Sequence, residues 1–206
     1  MATLVCFHAH PDDECIQTAG VMAKAAAEGH RVVLVVATRG EHGEFPDDIL
    51  DPGEALRDLR VREVTASAAL LGVSRLEFLG YVDSGMIGTP ENEAPECFWR
   101  ADVEEAAHRL AAILDDEQAD VLTVYDDHGG YGHPDHIQVH RVGRRAGELA
   151  GTRRVFEATM NRDLVLDGIA TMREEAIAAG TPADDVELPT LPDDFGTPVA
   201  QITAAI

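Results

Sequence analysis

A chain of 206 residues with 45% hydrophobic side chains has room for one real core, and a single domain over 1–206 is the natural reading. Its 38 acidic residues against 16 basic ones give a formal net charge of −22, which disfavours nucleic acid and anionic membranes as partners. No apolar run approaches the length of a membrane span, no basic region precedes the first apolar stretch as in a secretory signal, and Cys6, Cys15 and Cys97 make no Cys-x-x-Cys pair, so a cytoplasmic chain without disulfides is expected.

Residues 4–7 are an apolar run that reads as a short buried strand over about 3–7. His8-Ala-His10-Pro-Asp12-Asp13-Glu14 follows, and Pro11 ends the strand because it has no N–H to give a sheet. Three carboxylates and two imidazoles so close together have no packing use; a metal site with a base beside it would use them. A helix is predicted over 16–28, closed by Gly29. The Val-rich stretch 31–37 suits a strand buried on both faces, and strand, helix, strand at this spacing implies a parallel pair. Thr38-Arg-Gly-Glu41-His42-Gly-Glu44 then lies at the carboxyl end of that second strand.

Residues 54–71 carry a helical apolar pattern stopped by Gly72. A short strand, 76–79, leads into Gly80-Tyr-Val-Asp83-Ser84-Gly85, and 90–95 is polar and reads as a loop. A helix over 102–117 shows a buried stripe that includes Val103, Ala106, Leu110 and Ile113. The next strand, 121–125, delivers a second cluster, Tyr125-Asp-Asp-His128-Gly-Gly-Tyr131-Gly-His133-Pro-Asp135-His136. Pro134 opens a helix to about residue 149, since a first helical position needs no N–H. A strand over 153–158 and a helix over 161–178 complete the regular pattern. From 181 to 206, prolines and acidic residues without periodicity read as an irregular tail, a short or incomplete C-terminal part.

Alternating strands and helices predict an α/β fold: a single Rossmann-like domain with a mostly parallel sheet flanked by helices. Ligands of such sheets bind outside the carboxyl ends of the strands, where every polar cluster named above falls. Two strands that each end in His-Pro-Asp would pool their ligands at one sheet edge.

Both clusters resemble the signature motifs of the LmbE-like, or PIG-L, zinc-dependent de-N-acetylases. The second is especially similar to the branch that handles mycothiol and its precursor. The resemblance implies a metal held by His10, Asp13 and His136, three protein ligands with one position left for water. Zinc is the expected ion, with iron(II) the alternative because imidazole and carboxylate accept either. By the same resemblance Asp12 is the general base and Tyr131 gives a hydrogen bond to the oxyanion. His133 is a proton donor or oxyanion stabiliser, with Asp135 holding its charge and orientation. Arg60 and Asp83 match sugar-contacting positions, and Glu44 is a weaker candidate of the same kind. Gly196-Thr-Pro198 is similar to a segment late in the family domain, which places 181–206 within the fold. The implied activity is metal-assisted hydrolysis of an N-acyl group, most simply acetyl, from a small amino-sugar substrate such as an N-acetylglucosamine conjugate.

Other residues have plainer readings. His140, four after His136 on one helix face, is expected to be structural, and His8 a packed histidine bonded to backbone. Glu14 reads as a hydrogen-bond partner, Cys15 as small buried filler, and Phe98 and Trp99 as packing. Two alternatives stand beside the deacetylase: an amidase cleaving a mycothiol S-conjugate or related amide, and a non-catalytic Rossmann-like module with a structural metal. Against the last, no Gly-x-Gly-x-x-Gly follows the first strand to cradle a pyrophosphate.

Overall fold

A computed structural model describes residues 1–46, 48–191 and 195–204. Among the described residues five strands make one sheet: β1 (Thr3–His8), β2 (Arg31–Val36), β3 (Arg75–Phe78), β4 (Val121–Tyr125) and β5 (Arg154–Ala158). Their order is β3-β2-β1-β4-β5 and every pair is parallel. The helices are α1 (Asp13–Gln17), α2 (Ala19–Ala27), α3 (Leu56–Leu70), α4 (Val103–Asp116), the single turn α5 (Gly129–Gly132), α6 (Pro134–Ala150) and α7 (Arg162–Ala178). By density of contact the chain forms two units, 1–158 and 159–206.

The unit 1–158 follows from strand periodicity. Successive side chains of a strand point to opposite faces, and both faces of β1 and β2 are covered. Val5, Phe7, Val33 and Val35 join the core that includes Leu110 of α4 and Val142 of α6. Leu4, Cys6, Val32 and Leu34 join the opposite core with Met22 of α2 and Val64 of α3. A buried Val, Leu or Phe contributes about 1.5–3 kcal/mol relative to an exposed one, so these unbroken apolar runs fix the centre of the sheet. Gly143 lets α6 lie close against it: a Cβ there would stand 2.2 Å from Val124 Cγ1.

The helix predicted over 16–28 differs in the structure. It begins at Asp13 and breaks at Thr18, whose φ of −133° and ψ of 4° interrupt the helical path between α1 and α2. The side chain of Thr18 turns inward to bond His8, a tertiary contact that helix propensity does not register. The stretch 90–95, read as a loop, holds one 3-10 turn, Pro90–Glu93.

In the unit 159–206, α7 has no buried residue. Asn161 bridges Thr197, and the Arg162 guanidinium donates to the carbonyls of Phe195 (2.7 Å) and Gly196 (3.0 Å). The Gly196-Thr-Pro198 segment is thus tied to the start of α7. No helix among the described residues is long and apolar enough to cross a membrane.

The sequence of strands moves one way from β1 to β2 and β3, and the other way to β4 and β5. The switch point therefore lies between β1 and β4, which pair directly (Val5 with Leu122, Cys6 with Thr123). A crevice outside the carboxyl ends of the strands at such a point is where this architecture binds ligands.

Candidate active site

The first wall is the turn after β1. Asp12 sits at φ 114°, a left-handed conformation that a non-glycine residue adopts only under strain. Two neighbouring carboxylates clamp it. Glu14 Oε2 accepts the Asp12 N–H at 2.9 Å, and Asp13 Oδ2 accepts the His10 N–H at 2.8 Å. Glu14 is itself buried and held by the Ser67 hydroxyl of α3 at 2.7 Å.

The second wall follows β4. Gly130 N–H donates to Asp126 Oδ1 at 2.7 Å, folding the glycine-rich turn back on itself. Gly129 has φ +67°, and a Cβ there would stand 2.7 Å from the His136 Cβ, so only glycine lets α6 start this close. His136 Nδ1 lies 3.2 Å from the Gly129 carbonyl. A carbonyl only accepts, so Nδ1 carries the proton and Nε2 presents its lone pair. That Nε2 is buried, finds no hydrogen bond among the described residues, and lies 3.3 Å from Asp13 Oδ1.

His10 stands between the walls. Its Nδ1 is 3.3 Å from Asp13 Oδ2, and its Nε2 is 3.2 Å from Asp135 Oδ2 and 3.5 Å from Asp83 Oδ1. Asp135 is fully buried; Ser84 donates to it through both its hydroxyl and its N–H, the latter at 2.9 Å. Asp83 accepts the N–H groups of Gly85 (2.8 Å) and His42 (3.2 Å). Donor atoms of His10, His133 and His136 lie within 4.8 Å of one another, and so do those of His10, Asp83 and Asp135.

This donor set fits a divalent cation. Bonds of about 2.0–2.1 Å in a tetrahedral site put ligand atoms about 3.3 Å apart, the separation seen from Asp13 Oδ2 to His10 Nδ1 and from Asp13 Oδ1 to His136 Nε2. A buried imidazole nitrogen facing a carboxylate oxygen is repulsive unless positive charge, a proton or a cation, stands between them. Whichever His10 nitrogen binds a cation, the other keeps a carboxylate, the arrangement that orients metal-bound histidines.

The electrostatics follow from burial and this crowding. Burial opposes charge on Asp13, yet His136 and His10 outweigh it and hold the carboxyl well below its usual range. Burial likewise opposes the proton on His10, and Asp13, Asp135 and Asp83 together overcome it. Asp12 is raised, by burial and by Asp13, against the pull of Arg60. Burial, with His10 and His136, lowers His133 to about 4, so this ring is neutral. Burial and the nearby Asp13 push Tyr131 up to about 12, so its hydroxyl keeps its proton. Burial lowers His8 to about 4.

Most of the sequence-predicted residues converge. His10, Asp12, Asp13, Asp83, His133, Asp135 and His136 surround one crevice. Tyr131, half exposed, sets its ring 5.0 Å from that of His136. Arg60 reaches across from α3, Nη1 at 3.4 Å from Asp12 Oδ2. Beside that pair a cleft of about 220 Å³ opens between Asp12, Cys15, Arg60 and Ser67.

Some placements differ from expectation. Glu44 is exposed and makes no hydrogen bond or ion pair among the described residues; Glu41 instead accepts the Asp83 N–H at 3.1 Å. The Asp135 carboxylate faces His10 and Ser84, and it is the Asp135 N–H that meets His133 Nδ1, at 3.1 Å. Cys15 is exposed rather than buried filler, because α1 starts early and turns it to the cleft, with Glu14 and Ser67 each 3.2 Å from its sulfur. His8 bonds side chains, not backbone. His140 is structural, bonded to the Tyr125 carbonyl at 3.0 Å. Ser84, Asn92 and Tyr125 had no assigned part. Asn92 Nδ2 donates to the carbonyls of Ser84 and Met86, and Trp99 N–H to Ser84 Oγ at 2.8 Å. Ser84 stands within the Asp83-Ser84-Gly85 segment and Tyr125 opens the second cluster, whereas no motif marks Asn92.

Comparison with known proteins agrees with this geometry. The family model described as PIG-L, GlcNAc-PI de-N-acetylase, matches residues 5–147. A protein of Thermobifida fusca (strain YX), named 1D-myo-inositol 2-acetamido-2-deoxy-alpha-D-glucopyranoside deacetylase, is 43% identical over 94% of this chain and 75% of its own length. A Thermomonospora curvata protein of the same name is 52% identical over 69% of this chain, which spans about half (51%) of it. Among solved structures, N,N'-diacetylchitobiose deacetylase from Pyrococcus horikoshii superposes with a TM-score of 0.58 at 27% identity, over 71% of this chain and 49% of that one. With its two motifs brought together at the β1/β4 switch point, the chain belongs to the PIG-L family of de-N-acetylases.

Proposed function

We propose that this chain is a zinc-dependent hydrolase that removes the acetyl group from the nitrogen of an N-acetylglucosamine conjugate. The favoured substrate is the N-acetylglucosaminyl-inositol that names the Thermobifida and Thermomonospora relatives. One observation carries the reading: the buried Nε2 of His136 finds no hydrogen-bond partner among the described residues and lies 3.3 Å from Asp13 Oδ1.

His10, Asp13 and His136 would hold the ion. Bound there, zinc would supply Lewis acidity that activates water and polarises the amide carbonyl. The remaining work falls to the chain. Asp12, a half-exposed carboxylate of raised pKa, accepts a proton from the attacking water and can return it to the leaving amine. Tyr131, protonated at neutral pH, donates to the oxyanion. His133 accepts the Asp135 N–H at Nδ1, so its proton sits on Nε2, available to the oxyanion or the amine. Asp135 orients His10. Arg60 and Asp83, with Glu44 further out, would contact the sugar. Three free thiols suit a reducing compartment, and the cytoplasm is part of the proposal.

The test pairs metal analysis of the purified chain with amine release from N-acetylglucosaminyl-inositol, with and without chelator, on the wild type and Asp12→Ala. Bound zinc, chelator-sensitive release and an inactive but metal-loaded Asp12→Ala are expected. Absence of zinc after reconstitution, or undiminished turnover by Asp12→Ala, would overturn it.

A further inference from the structure

Tyr125, the last residue of β4, is buried and serves none of the steps above. It touches two of the three proposed ligands at once. Its ring stacks on His136 with centroids 4.3 Å apart and planes 15° from parallel. Its hydroxyl also faces the Asp13 carboxylate and the Ala9 backbone. The same hydroxyl lies 2.9 Å from His8 Nδ1, and His8 Nε2 lies 2.7 Å from Thr18 Oγ1. Asp13, Tyr125, His8 and Thr18 thus form one buried chain of polar atoms.

Counting protons fixes its direction. A phenol hydroxyl gives one hydrogen and accepts at two lone pairs. The Ala9 N–H can only donate and the Asp13 carboxylate can only accept. All three neighbours are satisfied in one way: Tyr125 donates to Asp13 and accepts from Ala9 N–H and from His8 Nδ1–H. His8 Nε2 then accepts from the Thr18 hydroxyl. This also accounts for the break between α1 and α2, since Thr18 leaves the helical path while its hydroxyl reaches β1.

We propose that Tyr125 and His8 are positioning residues for the metal centre, Tyr125 setting the Asp13 carboxylate by a charge-assisted hydrogen bond and the His136 ring by stacking, and His8 fixing the direction of that bond through its Nδ1–H tautomer. The proposal rests on the metal reading above. Groups that hydrogen-bond a ligand from behind govern its orientation and basicity, and their loss typically costs about 10–100-fold in metal affinity or activity.

The experiment is a zinc competition titration against a chromophoric chelator for the wild type and Tyr125→Phe, with 15N spectra of the histidines in the metal-free protein. Tyr125→Phe keeps the stacked ring and is expected to weaken zinc about tenfold or more, with kcat falling and KM held. His8 is expected as the Nδ1–H tautomer. Wild-type zinc binding with equal affinity in Tyr125→Phe, or an Nε2–H tautomer of His8, would overturn this inference and leave the metal reading standing. A wild type that binds no zinc would overturn both. Should Tyr125→Phe fail to fold, Thr18→Val carries the test: it removes the donor to His8 Nε2, and unchanged zinc affinity together with an unchanged His8 tautomer would overturn the proposal.

Discussion

The Asp135 carboxylate lies 3.2 Å from His10 Nε2, across 125 residues of sequence. Ser84 fixes the other side of that carboxylate, so His10 is oriented by a group that is itself held. Asp135→Asn keeps the shape but removes the charge and places donor hydrogens where Ser84 or His10 already donates. Zinc affinity is expected to fall about 10–100-fold, read by competition titration, and unchanged affinity would contradict the role.

Asp12 invites a second test. Its left-handed backbone stores strain of about 1–3 kcal/mol, and Glu14 Oε2 holds it there through the Asp12 N–H. Glu14→Ala removes that clamp and lets the turn relax. A displacement of about 1 Å at a reacting group can cost about 100-fold in rate. The expected result is a loss of kcat of that order, with zinc content retained. Full kcat would show that Asp12 is positioned without Glu14.

These two contacts mark the limit of what local pattern discloses. The strands were legible because apolar runs such as 32–36 have no polar alternative, and the site's location because both clusters follow strands. That β1 and β4 are neighbours follows from the switch in strand order, a long-range fact no window contains. Side-chain direction was least legible. The resemblance implies an Asp135 carboxylate that holds His133, yet the α6 start turns the carboxylate to His10 and leaves the backbone N–H to His133. Thr18 sits inside one continuous helical pattern, and its hydrogen bond to His8 is a tertiary contact that no local pattern registers. Glu41 and Glu44 are equivalent on paper; the turn at residues 40–43 sends only Glu41 to Asp83.

At the opposite end of the sheet, Glu117 accepts hydrogen bonds from Arg31 at the start of β2 and Arg75 at the start of β3. Arg31, against the cost of burial, leads in lowering the Glu117 carboxyl from 4.5 to about 2. A depressed carboxyl stabilises the fold above its unfolded pKa and loses that contribution as pH falls through the folded value. Glu117→Gln is therefore expected to cost about 1–2 kcal/mol at neutral pH, allowing for the partial exposure of both arginines. The gap between wild type and variant should shrink as pH falls from about 4.5 towards 2. Urea midpoints at pH 7, 5 and 3.5 would show it; a gap constant across that range would deny the ion pairs their role.

The position of α6 against the sheet makes the last test, because α6 carries His136 in its first turn. A methyl group on Gly143 would lie 2.2 Å from Val124 Cγ1 and 3.4 Å from Phe7 Cδ1. Neither neighbour can yield easily, since both are buried strand residues. Gly143→Ala must push the helix outward, at an overpacking cost of about 1–3 kcal/mol that outweighs the gain of about 1 kcal/mol from alanine's helix propensity. The same shift would carry His136 away from Asp13, so turnover should fall with stability. Val124→Ala removes the opposing methyls, and the double variant Gly143→Ala/Val124→Ala should be more stable than the sum of the single effects, the signature of two residues in direct contact. Additive losses in thermal unfolding would place the strain elsewhere and separate the packing of α6 from the geometry of the site.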